Sequence, residues 1–288
     1  QHDSDVYHEP SLWAHPIDRP TVMTLHDLTH IHYPQTQPAD RLQAIEQNLE
    51  YSLANSGRIL CVSEFTALQA MQHYGVDRER ICITPLGVSP CFRPYLAEET
   101  APLLQSFGLT HRRFLLFVGT LEPRKNLELV FQAIRAIPDA TLAHCPLVLC
   151  GAYGWGEIPP ILAKLIKHRK VIQTGYLERP ALCALMGTAQ MLLFPSLYEG
   201  FGLPILEAMA SGTPVITSNC ASMPEVGGTA AHYVDPHDPL ELALAIQQLH
   251  EDRKYWQQLQ NVGLERAQGF TWAKTAENTM AAYRAVMA

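Results

Sequence analysis

The chain has 288 residues, of which 47% are hydrophobic and 17% are charged, and its formal net charge is −7. These values are typical of a globular protein with one large domain or two ordinary ones. They exclude a protein that binds nucleic acid through a basic surface. No run of about 18 apolar residues occurs, so the sequence predicts no transmembrane helix.

The first residue and the cysteines bear on the cellular compartment. The sequence shows no signal peptide. It opens with Gln1 rather than methionine, so we expect an N-terminal part of the natural gene product to be missing. The seven cysteines form no C-x-x-C pair, and several lie in apolar runs, which favours reduced core cysteines of a cytosolic protein. These cysteines are Cys61, Cys82, Cys91, Cys145, Cys150, Cys183 and Cys220.

Residues 1–92 predict an incomplete α/β domain. Two segments, 22–26 and 58–63, have the pattern of strands, and helices are expected over 38–55 and 64–74. Two strands and two helices are too few to close a Rossmann-like domain. The proline-rich segment 85–95 then predicts a hinge between domains.

A histidine-rich segment follows the first predicted strand. H-D-L-T-H-I-H, residues 26–32, contains three histidines and one aspartate, a density typical of a metal site in a hydrolase. An H-x-x-x-H pair serves zinc when a helix carries it, whereas this segment follows a strand and runs into Tyr33-Pro34. We therefore expect His30 and His32 to be loop or surface groups, although a metal-dependent hydrolase stays as an alternative.

Residues 93–270 show a regular alternation of apolar strands and amphipathic helices. Such an alternation predicts a doubly wound parallel sheet, with ligands at the carboxyl ends of its strands. A last helix is expected over 272–287, within a segment 271–288 that would pack back on the N-terminal domain. The predicted strands are 114–118, 147–151, 171–175, 191–195 and 214–218, and predicted helices include 161–168, 180–188 and 239–251.

Two carboxylates stand in the sequence Y-E-G-F-G-L-P-I-L-E, residues 198–207. Paired carboxylates such as Glu199 and Glu207 are typical of glycoside hydrolysis. However, Pro204 suits the first position of a helix, and no Ser, Thr, Asp or Asn precedes it as a cap. An uncapped helix after a glycine-rich loop is a phosphate-binding arrangement. A purely structural role for Glu207 near the positive end of the helix dipole is the alternative.

A basic pair follows the first strand of the second domain. Arg124 and Lys125 lie in G-T-L-E-P-R-K-N, at the carboxyl end of the predicted strand 114–118. They are either a solvated pair on a loop or the cations that neutralise a diphosphate leaving group. The second interpretation agrees with the phosphate-binding pattern at Gly202.

The two motifs together resemble those of a known family. E-G-F-G-L-P-I-L-E-A-M-A-S-G-T-P-V-I resembles the E-x7-E signature of retaining GT-B glycosyltransferases of glycosyltransferase family 4. F-V-G-T-L-E-P-R-K-N-L is similar to the phosphate-binding turn of that family. The resemblance covers essentially the whole chain through T-L-H-D-L, C-V-S-E-F-T, P-L-G-V, P-E-V and V-D-P-H-D-P. It implies a GT-B fold of the α/β class.

This resemblance implies a nucleotide-sugar donor and a role for each motif residue. Glu207 would bind the ribose hydroxyls, and Glu199 and His26 would contact the donor sugar. The amides of Gly202 and Leu203 would face the sugar and the diphosphate. Many members carry a basic residue where this chain has Thr120, so the choice between Arg124 and Lys125 for each phosphate stays open, with Lys125 preferred. The donor-binding set implied by the family is Gly119, Arg124, Lys125, Gly200, Phe201, Gly202, Leu203 and Glu207.

The family further implies retention of the anomeric configuration without a metal cofactor. Asp3-Ser4-Asp5 has the D-x-D form of metal-dependent glycosyltransferases of another fold, and we interpret it as a loop entering a strand. The expected donor is GDP-mannose, with UDP- and ADP-sugars as alternatives, and the expected acceptor is a glycan or lipid-linked saccharide of bacterial surface polysaccharide synthesis. Peripheral association with the inner face of the cytoplasmic membrane is expected. A truncated donor-binding module without activity is the alternative.

Overall fold

Contacts divide the computed structural model into two units. The structure describes residues 4–157 and 159–288, so Asp3 of the D-x-D sequence lies outside the described residues. Unit 1 contains residues 4–87, Tyr198–Phe201 and Phe270–Ala288, and unit 2 contains Val88–Leu197 and Gly202–Gly269.

Strands and helices alternate along most of the chain. The strands are β1 Tyr7–Glu9, β2 Thr21–Leu25, β3 Arg58–Cys61, β4 Ile81–Ile83, β5 Leu115–Val118, β6 Leu147–Cys150, β7 Val171–Gly175, β8 Met191–Phe194, β9 Val215–Ser218 and β10 Ala231–Val234. The helices are α1 Thr29–His32, α2 Ala39–Asn55, α3 Glu64–Tyr74, α4 Ala97–Ser106, α5 Leu127–Ala136, α6 Ile161–Lys167, α7 Arg179–Thr188, α8 Leu203–Ala210, α9 Met223–Gly227, α10 Pro239–Glu251, α11 Arg253–Ala267 and α12 Trp272–Met287. Short 3-10 turns span Pro34–Thr36, Arg78–Arg80 and Pro123–Lys125.

Unit 1 has a four-stranded parallel sheet in the order β1-β2-β3-β4. The expectation of only two strands is therefore wrong. Strands β1 and β4 have three residues each, and in β1 only Glu9 is fully buried, so neither strand gives a detectable apolar period. One face of the sheet carries a core that includes Met23, Leu25 and Ile59.

The last helix, α12, covers part of this sheet. Ala282 is 1% exposed and packs with Val22 of β2 and Leu60 of β3. A Cβ atom added at Gly57 would overlap the Val286 side chain, and one added at Gly87 would overlap the backbone of Trp272. Because overlap with backbone cannot be relieved by a rotamer change, the approach of α12 requires glycine at position 87.

Unit 2 has a six-stranded parallel sheet in the order β10-β9-β8-β5-β6-β7. This confirms the doubly wound α/β prediction. Strands β5, β6, β8 and β9 are buried at every residue, which explains their continuous apolar sequences. The strand order reverses between β5 and β8, and ligands bind at such a switch point in open α/β sheets.

The structure bears on the predictions about transmembrane helices and about the cysteines. In the part of the chain that the structure describes, every helix falls short of the length and apolar content that a bilayer crossing requires. All seven cysteines are free thiols, and Cys61, Cys145, Cys150 and Cys183 are buried. Burial raises the pKa of the Cys61 and Cys145 thiols to about 12, so both stay protonated near neutral pH.

Candidate functional site in the two units

A tight turn follows β5 at the switch point of unit 2. Gly119 has a φ of 146°, and its amide donates to the Cys150 carbonyl at 3.0 Å. A Cβ atom at Gly151 would overlap the Gly119 backbone, so two glycines bring the ends of β5 and β6 together. The chain then forms the 3-10 turn Pro123–Lys125, which carries the predicted basic pair.

Lys125 is buried at this turn. The residue is 8% exposed, and its Nζ atom lies 4.8 Å from the centroid of the Phe194 ring at the end of β8. A Cβ atom at Gly119 would lie 3.3 Å from the Lys125 Cε atom, so the side chain runs across that glycine. Burying an ammonium group costs free energy unless other groups compensate it. The interpretation of a solvated basic pair is therefore wrong for Lys125.

Arg124 is held differently from Lys125. Its guanidinium donates to the Glu122 carboxylate at 2.5 Å, and Glu122 is 6% exposed. The Arg124 carbonyl accepts from the amide of Leu197 at 2.9 Å. A charge-assisted pair of this kind orients the guanidinium in a largely buried position.

Asn126 is a residue of this turn that the sequence analysis missed. It has a left-handed φ of 61°. Its Nδ2 atom donates to the Pro195 carbonyl at 3.1 Å and to the Pro236 carbonyl at 2.7 Å. Asn126 thereby ties the basic turn to the chain that follows β8 and β10. The only available signal was an asparagine directly before a helix, a residue type that tolerates the left-handed conformation.

Helix α8 begins without a side-chain cap, as predicted. Gly202 occupies the N-cap position with a φ of 93°, and no side chain accepts from the first turn. The sequence had suggested Pro204 as the first residue of the helix. The helix begins one residue earlier, at Leu203, so Pro204 is its second residue. An uncapped first turn presents backbone N–H groups and the positive end of the helix dipole, which together favour an anion.

Glu207 lies in the second turn of α8. Because the effect of the helix dipole falls off within the first turn, the dipole alone does not explain this residue. Burial raises the pKa of Glu207 to about 7, and the nearby charge of Arg179 acts in the opposite direction. A partly buried carboxylate with such a pKa is typical of functional sites. Its ionised form can accept two hydrogen bonds from vicinal hydroxyl groups.

The segment Tyr198–Phe201 belongs to unit 1. A Cβ atom at Gly200 would overlap the backbone carbonyl of His26, which explains the glycine. The Gly200 carbonyl accepts from the Ser63 hydroxyl at 2.6 Å and from the Thr66 hydroxyl at 3.1 Å. Three motifs that are distant in sequence, T-L-H-D-L, C-V-S-E-F-T and E-G-F-G, therefore meet in one unit.

The other predicted site residues of unit 1 differ in accessibility. The His26 side chain is exposed, and its Nε2 atom lies 3.1 Å from the Pro10 carbonyl oxygen. Glu199 is 9% exposed. Phe201 is 5% exposed and packs edge-on against Phe270 with ring centroids 6.1 Å apart, which leaves its backbone for any ligand contact.

His30 and His32 of the histidine segment both contact tyrosine side chains. Part of it is the short helix α1, so the expectation that no helix carries these residues is wrong, because four residues give too little sequence for a helical period. His30 bonds to the Tyr74 hydroxyl at 2.8 Å, burial lowers its pKa, and His32 stacks on Tyr198 with ring centroids 5.1 Å apart. Across residues 4–157 and 159–288, no three His, Cys, Asp or Glu side chains lie close enough to hold a metal ion.

Comparisons with known proteins agree with these motifs. The model "Glycosyltransferase Family 4" matches residues 1–91, and the model "Glycosyl transferases group 1" matches residues 112–252. The O-antigen chain mannosyltransferase B of Escherichia coli is 34% identical over 285 residues, which cover 97% of this chain and 74% of that protein. The chain belongs to glycosyltransferase family 4.

This glycosyltransferase is also similar to two longer proteins. It is 28% identical over 263 residues to the serotype-specific mannosyltransferase WbdA of Escherichia coli, covering 89% of this chain but only 32% of WbdA. Its fold matches that of HepE from Anabaena, solved with UDP and glucose, with a TM-score of 0.78 and 19% identity over 93% of this chain and 72% of that one. The fold is therefore GT-B, as predicted.

Proposed function

We propose that the chain transfers a hexosyl group from a nucleotide-diphosphate sugar to a hydroxyl group of a glycan or lipid-linked acceptor. The observation that carries the proposal is the uncapped first turn of α8, which begins after β8 at the switch point of the unit 2 sheet. Backbone N–H groups and the positive end of a helix dipole at a switch point suit a ligand that carries negative charge. Family membership supports the same reaction class.

In this proposal unit 2 binds the nucleotide diphosphate. Lys125 and Arg124 neutralise the charge that develops on the leaving diphosphate. The amides of Gly202 and Leu203, in the uncapped first turn of α8, donate to its oxygens. Glu207 accepts from the ribose hydroxyls in its ionised form.

His26 and Glu199 bind and orient the donor sugar. The anomeric configuration is retained in a same-face reaction. The bond between the anomeric carbon and the leaving phosphate oxygen breaks, and the acceptor oxygen bonds to that carbon. The acceptor proton passes to the leaving phosphate oxygen, so the protein contributes positioning and charge stabilisation.

Mannose is the proposed sugar, and GDP-mannose the proposed donor. The relatives from Escherichia coli are named as mannosyltransferases, which favours mannose. HepE was solved with UDP and glucose, so UDP-sugars are the next donors to test. O-antigen chains are surface polysaccharides, and we propose work at the inner face of the cytoplasmic membrane, where a lipid-linked acceptor would lie.

Transfer assays with GDP-mannose and mannose-terminated oligosaccharides test the proposal. We expect GDP to raise the melting temperature and GDP-mannose to give a product in which the new bond keeps the α configuration, measured by proton NMR. Lys125→Met should remove both effects, whereas Lys254→Gln, an exposed lysine of unit 2, should change neither. If GDP, UDP and ADP all leave the melting temperature unchanged, the donor site is wrong.

A donor-binding module without activity is the second candidate. The chain spans 74% of the O-antigen chain mannosyltransferase B and 32% of WbdA, so likeness to these proteins does not by itself carry over their transfer activity. This candidate predicts a melting-temperature shift with GDP and no transfer to any acceptor in the same assay.

A further inference from the structure

A basic cavity lies at the amino ends of β6 and β7 in unit 2, at the strand ends opposite those of the proposed donor site. Its volume is about 500 Å³, within the range of cavities that hold small molecules. It is lined by the end of α4, the segment before β5 and the two segments that lead into β6 and β7. The proposed donor site uses the carboxyl ends of the same strands, so this cavity is a separate feature.

The charge of this cavity is opposite to that of the whole chain, which carries −7. Three cations, Arg113, Arg169 and Lys170, line it together with the imidazoles of His144 and His168. Its one lining carboxylate, Asp139, pairs with Lys170. In the described part of the chain, Arg113 and Arg169 have no ion-pair partner. Their charges are therefore available to an anion.

Arg169 occupies a backbone position that normally favours glycine. It follows α6 with a φ of 55°, and its amide donates to the Ile166 carbonyl at 2.9 Å. The next amide, of Lys170, donates to the Leu165 carbonyl at 2.9 Å, which completes a Schellman motif.

Other helices of the same unit show what this position ordinarily holds. The same pair of bonds ends α4 with Gly108 and α8 with Gly212 in the left-handed position. The helix dipole favours cations in the last turn of α6, where Lys164 and Lys167 lie, but it requires no arginine at the left-handed residue. An arginine at this position is therefore disfavoured by the backbone and has another reason to be there.

The arginine is directed into the cavity. A Cβ atom at Gly108 would lie 3.0 Å from a terminal nitrogen of Arg169, so the guanidinium lies across that glycine on the cavity wall. His144, on the opposite segment, also has a left-handed φ, of 63°. Two basic side chains thus reach one cavity from backbone positions that disfavour them.

We propose that this cavity binds a phosphate-bearing ligand, such as a sugar phosphate or the headgroup of an anionic phospholipid. Guanidinium groups match the oxygens of a phosphate with paired hydrogen bonds, and the imidazoles add further donors. The volume admits a group larger than phosphate itself. The cavity shares no residue with the proposed donor site and lies at the other ends of the strands, so the two sites can be tested separately.

Calorimetric titration with inorganic pyrophosphate tests the site in the Lys125→Met variant, which lacks one of the two proposed donor-site cations. We expect binding to persist in this variant and to weaken at least tenfold when Arg113→Gln or Arg169→Gly is added. Lys254→Gln serves as the control and should leave the affinity unchanged. Absence of binding, or binding that neither arginine variant weakens, would overturn the proposal.

Arg169→Gly separates ligand binding from a structural role. Because glycine suits the left-handed residue, this variant should melt at the same temperature as the parent or higher, while it loses affinity for pyrophosphate. Its melting-temperature shift with GDP should stay intact. A lower melting temperature with full affinity would mean that Arg169 serves the fold, contrary to the proposal.

Vesicles distinguish the two sources of phosphate. Co-sedimentation with phosphatidylglycerol vesicles, but not with phosphatidylcholine vesicles, that is lost in Arg113→Gln and Arg169→Gly would identify a lipid headgroup. Pyrophosphate binding without co-sedimentation would identify a soluble phosphate compound. Failure of both assays would rule the site out.

Discussion

Burial changes what the carboxylate of Glu207 can do. Burial raises the pKa of Glu207 to about 7. The ionised form, which the proposed ribose contact needs, is therefore only partly populated near neutral pH. We therefore expect GDP to bind more weakly at about pH 6 than at about pH 8, because protonation removes the acceptor. Calorimetry at both values, with Glu207→Gln as a pH-independent weak binder, measures the effect. Equal affinities at the two values would contradict the assignment of Glu207.

The same raised pKa makes the stability of the folded protein fall as the pH rises, whereas the affinity for GDP should increase. In the unfolded chain the carboxyl titrates near 4.5, and in the folded protein near 7, so folding favours the protonated form. The stabilisation is complete below 4.5 and is lost as the pH rises through 7. Glu207→Gln should therefore raise the free energy of unfolding by about 3 kcal/mol at high pH and leave it unchanged at low pH. Urea unfolding of both proteins, with exposed Glu251→Gln as a neutral control, checks this.

Gly200 has no room for any side chain. Since a Cβ atom there would overlap the His26 carbonyl, we expect Gly200→Ala to destabilise unit 1 by about 3 kcal/mol or to displace the loop from Ser63 and Thr66. Gly269→Ala is the matched control, because its Cβ atom would meet only the Arg266 carbonyl at 3.4 Å. Thermal unfolding of the two variants measures the difference. Equal melting temperatures would show that the loop lies elsewhere.

Sequence motifs identified the residues of the basic turn but not their environments. Lys125 and Arg124 were found from their order after a strand. The burial of Lys125 beside Phe194 depends on a side chain from another segment and could not be predicted, whereas Glu122, the partner of Arg124, lies only two residues before it. Asn126 was missed because its partners lie 69 and 110 residues away.

Elements with a clear period were predicted with the correct bounds. Helices α3, α10 and α12 and strand β7 begin and end where the apolar spacing and the flanking residues indicated. Helix α11 was missed because Gly263 and Ala267 fill two of its buried positions, so the apolar period is hidden. Strand β10 was missed because two of its four residues, His232 and Tyr233, are only partly buried.

The packing of α12 on the sheet of unit 1 can be tested with a double-mutant cycle. A Cβ atom at Gly57 overlaps the Val286 side chain, so Gly57→Ala should cost about 1–3 kcal/mol through overpacking. Val286→Ala provides space and should recover most of that loss in the double variant. Urea unfolding of the four proteins gives the coupling energy. Additive effects would mean that these two residues do not meet.

At the scale of the whole molecule, the two units differ in how the chain builds them. Unit 2 comes from residues 88–197 and 202–269, which contain all of its six-stranded sheet and its core. Unit 1 is built from three separate segments, 4–87, 198–201 and 270–288. We expect a fragment of residues 88–269 to unfold cooperatively in urea and to keep the near-ultraviolet circular dichroism of a packed core, whereas residues 1–87 alone should expose Val22 and Leu60. A fragment 88–269 without a cooperative transition would contradict this division.

The dependence of unit 1 on α12 also sets an order for synthesis on the ribosome. The strands β2 and β3 emerge first, but the helix that buries Val22 and Leu60 emerges about two hundred residues later, which at about 5–20 residues per second is a delay of tens of seconds. During that interval unit 2 can finish folding while one apolar face of the first sheet stays uncovered. This face is where a nascent chain would need a chaperone, and slower translation of residues 88–269 should increase aggregation of the product.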